Sequence, residues 1–473
     1  MSLNCKTPED VTKAVKENDV RHIDLRFTDP RGKWQHLTQV PDTIDENAYT
    51  DGIFFDGSSI AGWRAINESD MALIPDPTTA VMDPFSAQPT MILICDVHDP
   101  ITGEQYTRDP RSTAKRAEAY LKSTGIGDTA YFGPEPEFFI FDDVRFDVSM
   151  DNTFYQIDHE EGPYNSGREF RDGNTGHRPP VKGGYFPVPP VDSMHDLRSE
   201  MVSTLMNMGV SMEKHHHEVA PSQNELGIKF DTLVNSADNI QAYKYVVQMV
   251  SHIYGKTATF MPKPVIEDNG SGMHTHQSIW NSGKPVFAGS GYADLSEIAL
   301  NYIGGVIKHA KSLNAFSNPT TNSYKRLIMG FEAPVLLAYS ARNRSAAARI
   351  PYSASPNGKR VEIRFPDGMA NTYLAFSAML MAGLDGIQNK INPGDAIDKD
   401  LYDLPPEELA GVPTVCGSLR EALDALDADR DYLKSGGVFN DDLIDGFMEL
   451  KMEEVLYVEH TTHPAEFQMY YSS

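Results

Sequence analysis

Three cysteines in 473 residues, Cys5, Cys95 and Cys416, are too few and too scattered for a disulfide framework and point to a reducing compartment. The sequons at Asn67 and Asn343 then carry no meaning. No apolar run approaches the roughly 20 residues of a membrane span. Met1 to Asp19 is charged and has no apolar centre, so no signal peptide is expected. Positive charge is scarce as well: 41 Lys and Arg against 67 Asp and Glu leave a net −26, which disfavours a nucleic-acid partner. There is no P-loop, because the nearest approach, Gly162 to Arg168, lacks the Lys-Ser/Thr pair that reaches phosphate and Mg²⁺. Internal repeats and low-complexity tracts are missing too. What remains is the composition of a soluble, cytoplasmic, globular chain with length for roughly two to four domains.

The first hundred residues read as a small α+β module. Residues 8–17 form a short helix with Thr7 as N-cap and Pro8 in its first turn. Arg21 to Asp29 and Trp34 to Val40 alternate polar and apolar around an Asp-Pro-Arg-Gly turn, a hairpin pattern, and Gln88 to Val97 supplies another strand. The module boundary falls near residues 100–110, where Ser112 is expected to cap a helix over 113–123. Beyond it, apolar stripes predict helices over 193–208, 236–254 and 294–313, the first two stopped by Gly209 and Gly255. Residues 158–191 are rich in Gly, Pro and charge and show no periodicity. A loop of that length in a compact domain is functional or mobile.

The chemistry gathers elsewhere. Gly133-Pro-Glu-Pro-Glu-Phe-Phe-Ile-Phe141 reads as a buried strand with Glu135 and Glu137 on one side, about 6.7 Å apart. Pro134 and Pro136 prevent pairing of that end through both of their nitrogens. Two carboxylates so placed repel by about 2.5 kcal/mol at an effective dielectric of 20. A cation between them, Mg²⁺ or Mn²⁺ by ligand hardness, and a solvated acidic face are the two readings. Glu213-Lys-His-His-His-Glu218 places His216 and Glu218 on one face, and Glu225 follows after a turn. Asn269-Gly270-Ser-Gly-Met-His274-Thr-His276 combines a tight backbone with alternating imidazoles. Arg326, Arg342, Arg344, Arg349, Arg360 and Arg364 locally invert the charge of an acidic chain. They form either a salt-bridged surface or a set of guanidinium forks for phosphate and carboxylate. Val361 to Phe365 is a strand with Glu362 and Arg364 on one face. Asp56, in the loop Phe-Asp-Gly-Ser-Ser-Ile before Trp63, belongs to a surface turn or a substrate loop. Together these residues suit phosphoryl transfer at a divalent-metal site without a P-loop.

The motifs Phe-Asp-Gly-Ser-Ser-Ile, Gly-Pro-Glu-Pro-Glu-Phe-Phe, His-His-His-Glu-Val-Ala, Asn-Gly-Ser-Gly-Met-His, Asn-Pro-Thr-Thr-Asn-Ser-Tyr-Lys-Arg and Arg-Phe-Pro-Asp strongly resemble bacterial type I glutamine synthetase, from about Pro8 to Tyr471. The resemblance implies an α+β fold: a small N-terminal β-grasp domain, residues 1–105, and a larger catalytic domain on an antiparallel sheet with flanking helices, residues 106–473. It implies two stacked hexameric rings, a dodecamer, with each active site shared by neighbours. The substrates would be glutamate, ammonium and ATP, with two or more Mg²⁺ or Mn²⁺ per subunit. One metal would be held by Glu137, Glu218 and Glu225 and the second by Glu135, His274 and Glu362. Glu213, His276, Ser278, Arg344, Arg349 and Asn357 fall at ATP-contacting positions. Asn269, Gly270, Arg326, Glu332, Arg344 and Arg364 fall at glutamate-binding ones. Asp56 would bind and deprotonate ammonium, and Glu332 would be the acid of a flap shielding the intermediate. Tyr402 resembles the tyrosine that an adenylyltransferase modifies in part of the family.

Two departures stand out. The Glu218-to-Glu225 spacing is one residue shorter than in the best-known members. Asn357 replaces an ATP-contacting Lys common in relatives, a loss for which Lys359 is the candidate substitute. Two alternative functions follow from the same resemblance: a ligase joining glutamate to a larger amine, such as a polyamine or ethanolamine, or a non-catalytic ring protein.

Overall fold

In the computed structural model, which describes residues 2–63, 69–170, 173–329, 331, 333–401 and 405–471, the first hundred residues fold around one mixed sheet. Helix Pro8–Glu17 starts as its sequence demands: Thr7 and Asp10 form a capping box and Pro8 occupies the first turn. The hairpin His22–Thr28/Trp34–Gln39 pairs antiparallel, and His22–Thr28 also pairs in parallel with Thr90–His98. Asp70–Pro75 and Ile53–Asp56 complete the path, with Val81–Met82 beside Thr90–His98. Helix Pro8–Glu17 covers one face through Val11 and Ala14, closing a small core of its own.

The second unit is built on a ten-stranded sheet with its helices packed behind it. Its main path runs Met212–His217, Gln223–Ile228, Thr129–Phe141, Met273–Asn281, Val361–Ile363, Ala348–Ile350, Tyr339–Ala341. Pairing is antiparallel along this path except at the last step, where Tyr339–Ala341 lies parallel to Ala348–Ile350. Thr129–Phe141 is a central strand. Pro134 and Pro136 face the flank where pairing to Gln223–Ile228 reaches only as far as Glu137, and a side chain fills the gap. The Tyr243 hydroxyl donates to Pro136 O at 2.9 Å and accepts from Leu226 N at 3.1 Å.

The helix expected over 236–254 runs Leu233–Ile253, and three other helices differ from the sequence expectation, each for a local reason. Helix Pro110–Thr124 is capped by Asp109, not Ser112; the Asp109 carboxylate accepts from Ser112 N because Pro110 already sits in the first turn. The 193–208 helix begins at His195, since the Ser193 amide and hydroxyl both donate to Glu161. The stripe over 294–313 is two helices: Glu297–Lys308, capped by Ser296, and Ala310–Ser317. They part at His309, whose ring nitrogens lie 2.7 Å from Asp429 and 2.8 Å from Asp385. The strand expected to reach Phe365 stops at Ile363.

The two units share buried contacts. Arg111 in Pro110–Thr124 reaches Asp96 and Asp76 of the first sheet, each at 2.8 Å, and Asp238 of helix Leu233–Ile253 at 2.9 Å. A buried arginine with three carboxylates keeps its charge and ties the hairpin domain to the helical layer.

Candidate active site

Strand register decides what faces what. Directly opposed residues in an antiparallel pair share a face. His216 opposes Glu225, and Glu225 opposes Glu137. One strand further, His274 opposes Glu135, then His276 opposes Glu362, and Glu362 opposes Arg349. Met273–Asn281 shows the consequence: Met273, Thr275, Gln277 and Ile279 are buried while His274, His276, Ser278 and Trp280 face the other way. That face floors an open bowl of about 780 Å³.

At its centre His274 Nδ1 lies 4.0 Å from a carboxylate oxygen of Glu135, of Glu137 and of Glu362 alike. Burial and the neighbouring Arg364 push this imidazole well below its ordinary range, leaving it neutral with a nitrogen able to coordinate. A gap of 4.0 Å is too long for a hydrogen bond and suits donors that each lie about 2.0–2.2 Å from a shared cation. Glu135, His274 and Glu362 form one cluster and His216, Glu218 and Glu225 a second, each with donor atoms within 4.8 Å of one another. His216 spans the latter, 3.5 Å from Glu218 and 3.3 Å from Glu225. Glu137 sits between the clusters, accepting from Gly272 N at 2.8 Å and Gln223 Nε2 at 3.1 Å. The donor set therefore fits hard divalent cations.

The two strand carboxylates are tuned in opposite directions. Burial, with Glu225 opposite, raises Glu137 to about 7. Burial alone would raise Glu135 too, but the His276 ring holds it down at about 2.

Arginines flank the carboxylates on the Glu362 side and line the same bowl. Arg349 and Arg364 grip the two oxygens of Glu362 at 2.6 and 2.7 Å. Their Nε atoms are buried without an acceptor among the described residues, two donors aimed at no protein group. Arg344 also lines the bowl, held beside Tyr185. Arg326 is anchored by the carbonyls of Phe365 at 2.8 Å and Arg364 at 3.2 Å. Gly270 and Gly272 approach it closely: a Cβ on Gly270 would meet Arg326 Cγ at 3.0 Å, and one on Gly272 would meet Arg326 Nη2 at 2.5 Å; Asn269 lines the bowl beside them.

A second cavity of about 270 Å³ adjoins the bowl at Glu135, His276 and Arg360. Glu213, Ser278 and Asn357 line it with the aromatic cluster Tyr131, Phe230 and Trp280. Lys359 borders it, with its ammonium bound to Asp294 at 2.9 Å and to Ala293 O at 3.1 Å. Asp56 is elsewhere, exposed at the end of Ile53–Asp56 and accepting from Ser58 and Ser59; it is not a lining residue of the bowl. Glu332 and Tyr402 lie outside the described residues. Sequence reasoning left out Lys182 and Tyr185, which the 158–191 stretch delivers to the bowl; it named Arg360 in the arginine tract without a specific role, and the Nε of that residue lies 3.1 Å from His276 Nδ1. Position in an aperiodic segment hid the first two. The arginine tract itself was the signal for the third.

The fold and the site define a class: a two-domain enzyme in which carboxylates and imidazoles placed for divalent metal share one open bowl with guanidinium forks. Family models described as "Glutamine synthetase, beta-Grasp domain" and "Glutamine synthetase, catalytic domain" match residues 19–100 and 107–470. The chain belongs to the glutamine synthetase family. It is 67% identical to a glutamine synthetase of Bradyrhizobium diazoefficiens over 99% of this chain and 100% of that one. It is 62% identical to a protein named 3-hydroxylaminophenol mutase from Cupriavidus pinatubonensis, over 98% of both. A solved Plasmodium falciparum glutamine synthetase superposes with a TM-score of 0.90 at 27% identity, covering 98% of each chain.

Proposed function

We propose that this chain joins ammonia to L-glutamate at the expense of ATP, giving L-glutamine, ADP and phosphate through γ-glutamyl phosphate. A γ-carboxylate oxygen of glutamate bonds to the γ-phosphorus as the bond to ADP breaks. The nitrogen lone pair of ammonia then attacks the acyl carbon, phosphate departs with its bonding electrons, and nitrogen gives up a proton. The observation that carries this reading is His274 Nδ1 at 4.0 Å from three carboxylates, one of which, Glu362, is gripped by Arg349 and Arg364, whose Nε donors have no acceptor among the described residues.

In this reading Mg²⁺ or Mn²⁺, two or more per subunit, would be held by Glu137, Glu218 and Glu225 and by Glu135, His274 and Glu362, and when bound would neutralise phosphoryl oxygens. Arg344 and Arg349 bind and orient phosphate oxygens; Asn269, Gly270, Arg326 and Arg364 hold the glutamate. Glu213, His276, Ser278 and Asn357 border the nucleotide, whose base suits the aromatic wall of the second cavity. Asp56 takes a proton from ammonium, and Glu332 closes over the acyl phosphate to exclude water. The position of Asp56 outside its own bowl supports sites shared between neighbours in a ring, and hence the dodecamer. No helix among the described residues is long and apolar enough to cross a membrane. Tyr402 is read as the target of an adenylyltransferase. Protein from nitrogen-replete native cells should carry an added AMP on the Tyr402 peptide by mass spectrometry, and its consistent absence with the modifying enzyme present removes that role.

Phosphate release from ATP and glutamate, with and without ammonium, tests the main reading. Ammonium-dependent release is expected. Preference for ethanolamine or putrescine would make the chain an amine ligase, and no release with either would leave a non-catalytic ring protein. The mutase name carried by one relative at 62% identity is the reason to run the assay rather than rely on names.

A further inference from the structure

Residues 158–191 contain little regular structure, yet His159 and Glu161 within them are fully buried. The Glu161 carboxylate accepts four hydrogen bonds. Oε1 takes the Ser193 amide at 3.0 Å and hydroxyl at 2.6 Å; Oε2 takes the Ser222 amide at 2.9 Å and His217 Nε2 at 2.8 Å. The other nitrogen of His217 lies 2.6 Å from the carbonyl oxygen of Glu218, which can only accept, so the imidazole donates at both nitrogens. Ser222 adopts φ +74, a left-handed conformation unusual for a residue other than glycine, and its hydroxyl meets His159 Nδ1 at 2.7 Å.

These contacts grip the turn joining Glu218 to Glu225 at both ends: at the Glu218 carbonyl through His217, and at Ser222 directly. We propose that Glu161 is a positioning residue that holds this turn so that Glu218 and Glu225 face the bowl together, acting through His217 and Ser222 and touching no substrate. The inference rests on reading that pair as part of a cation site. A left-handed non-glycine residue persists only where its surroundings over-determine it. A fully buried carboxylate is tolerated only while its donors stay in place. The clamp therefore works as a unit, and removing its centre frees both ends of the turn. The aperiodic stretch thus delivers a buried anion to the back of the site.

The test is Mn²⁺ binding to the assembled full-length protein, read by electron paramagnetic resonance without turnover. Wild type is expected to show two classes of site and Glu225→Ala to lose one; if Glu225→Ala keeps both, the cation-site reading itself fails. Glu161→Ala should weaken that same class about tenfold or more, the size typical of outer-shell partners, and leave the class dependent on Glu135 intact. Glu161→Gln keeps the shape and the Ser193 contacts but cannot accept from Ser222 while donating to His217, so it should restore part of the affinity. It also decides the matter if the alanine variant does not fold. Wild-type affinity at both classes in Glu161→Gln and any folded Glu161→Ala overturns the proposal, as does an equal loss at both classes in assembled Glu161→Gln.

Discussion

The sheet-borne half of the bowl and its loop-borne half are built on different terms. Glu135, Glu137, Glu225, His274, His276 and Glu362 stand on paired strands, and cross-strand register alone brings them to one face. Lys182 and Tyr185 come from an aperiodic stretch, and Asp56 ends a strand of the other domain, outside the bowl. Among the described residues of one chain the first half gathers at a single bowl, while Asp56 stays apart from it. Rigid pairing suits ligands that must stay a few ångströms apart without collapsing, whereas groups that close over an intermediate have to move.

The largest effect should come from the sheet-borne half. Glu135→Ala or Glu362→Ala removes a carboxylate from the cluster around His274, so activity should vanish while the assembly persists on size-exclusion chromatography. Either variant retaining more than about a tenth of the wild-type rate, a loss under about 1.4 kcal/mol, would mean that the cluster is not the metal site.

The loop-borne half should fail in a way that can be repaired. Asp56→Ala and Glu332→Ala should each be nearly inactive. In randomly mixed rings, heterologous contacts let one subunit's intact Asp56 meet a neighbour's intact Glu332, restoring about a quarter of the sites. Mixed rings confirmed by tag pull-down yet no more active than the single variants would show a site contained within one chain.

Much of the sheet-borne half was legible in the sequence. Period-two spacing put Glu135 with Glu137 and His274 with His276, and the run of phenylalanines marked a buried strand. Which strands lie side by side was not legible, because register depends on residues far apart in the chain. His216 beside Glu225 and Arg360 beside His276 emerged only from pairing and packing. The prolines were read as limiting the pairing of the strand, and they do so on one flank only. Of the loop-borne half the resemblance named only Asp56 and Glu332, and physics named neither Lys182 nor Tyr185, since no periodicity marks them or the burial of Glu161. Local rules misjudged Ser112 as a cap for a simpler reason: Pro110 fixes the helix start, so the cap is the residue before it.

Opposite tuning of the two strand carboxylates predicts a pH signature in metal-free protein. Glu137 is raised in the fold to about 7, so its contribution to stability is present below its unfolded value near 4.5 and is lost as pH climbs through about 7. Glu135 is held down at about 2, so its contribution is present above its unfolded value near 4.5 and is lost as pH falls from there through about 2. The stability of metal-free protein, followed by denaturant titration, should therefore drop between pH 5 and 8 by an amount on the order of 3 kcal/mol. Glu137→Gln should flatten that drop. An equal drop in the variant would assign it to another group.

The smallest expected effect tests whether the sheet-borne half owes its rigidity to more than strand pairing. Prolines at 134 and 136 leave one flank of the central strand without amides to donate, and Tyr243 bridges it by accepting from Leu226 N and donating to Pro136 O. Its ring is fully buried against Phe138 and Phe260, so replacement by phenylalanine keeps the packing and removes only the hydroxyl. One buried amide and one buried carbonyl then lose a partner, which should cost about 1–3 kcal/mol of stability in denaturant titrations. Glu225 precedes Leu226 in the chain, and Glu137 follows Pro136, so the two carboxylates lie one residue from the loosened contacts. KM for ATP should rise modestly while the loop-borne half, tested by the same co-expression of Asp56→Ala with Glu332→Ala in this background, recovers its usual share of sites. Unchanged stability would show that the proline gap is held by the flanking strand pairs alone.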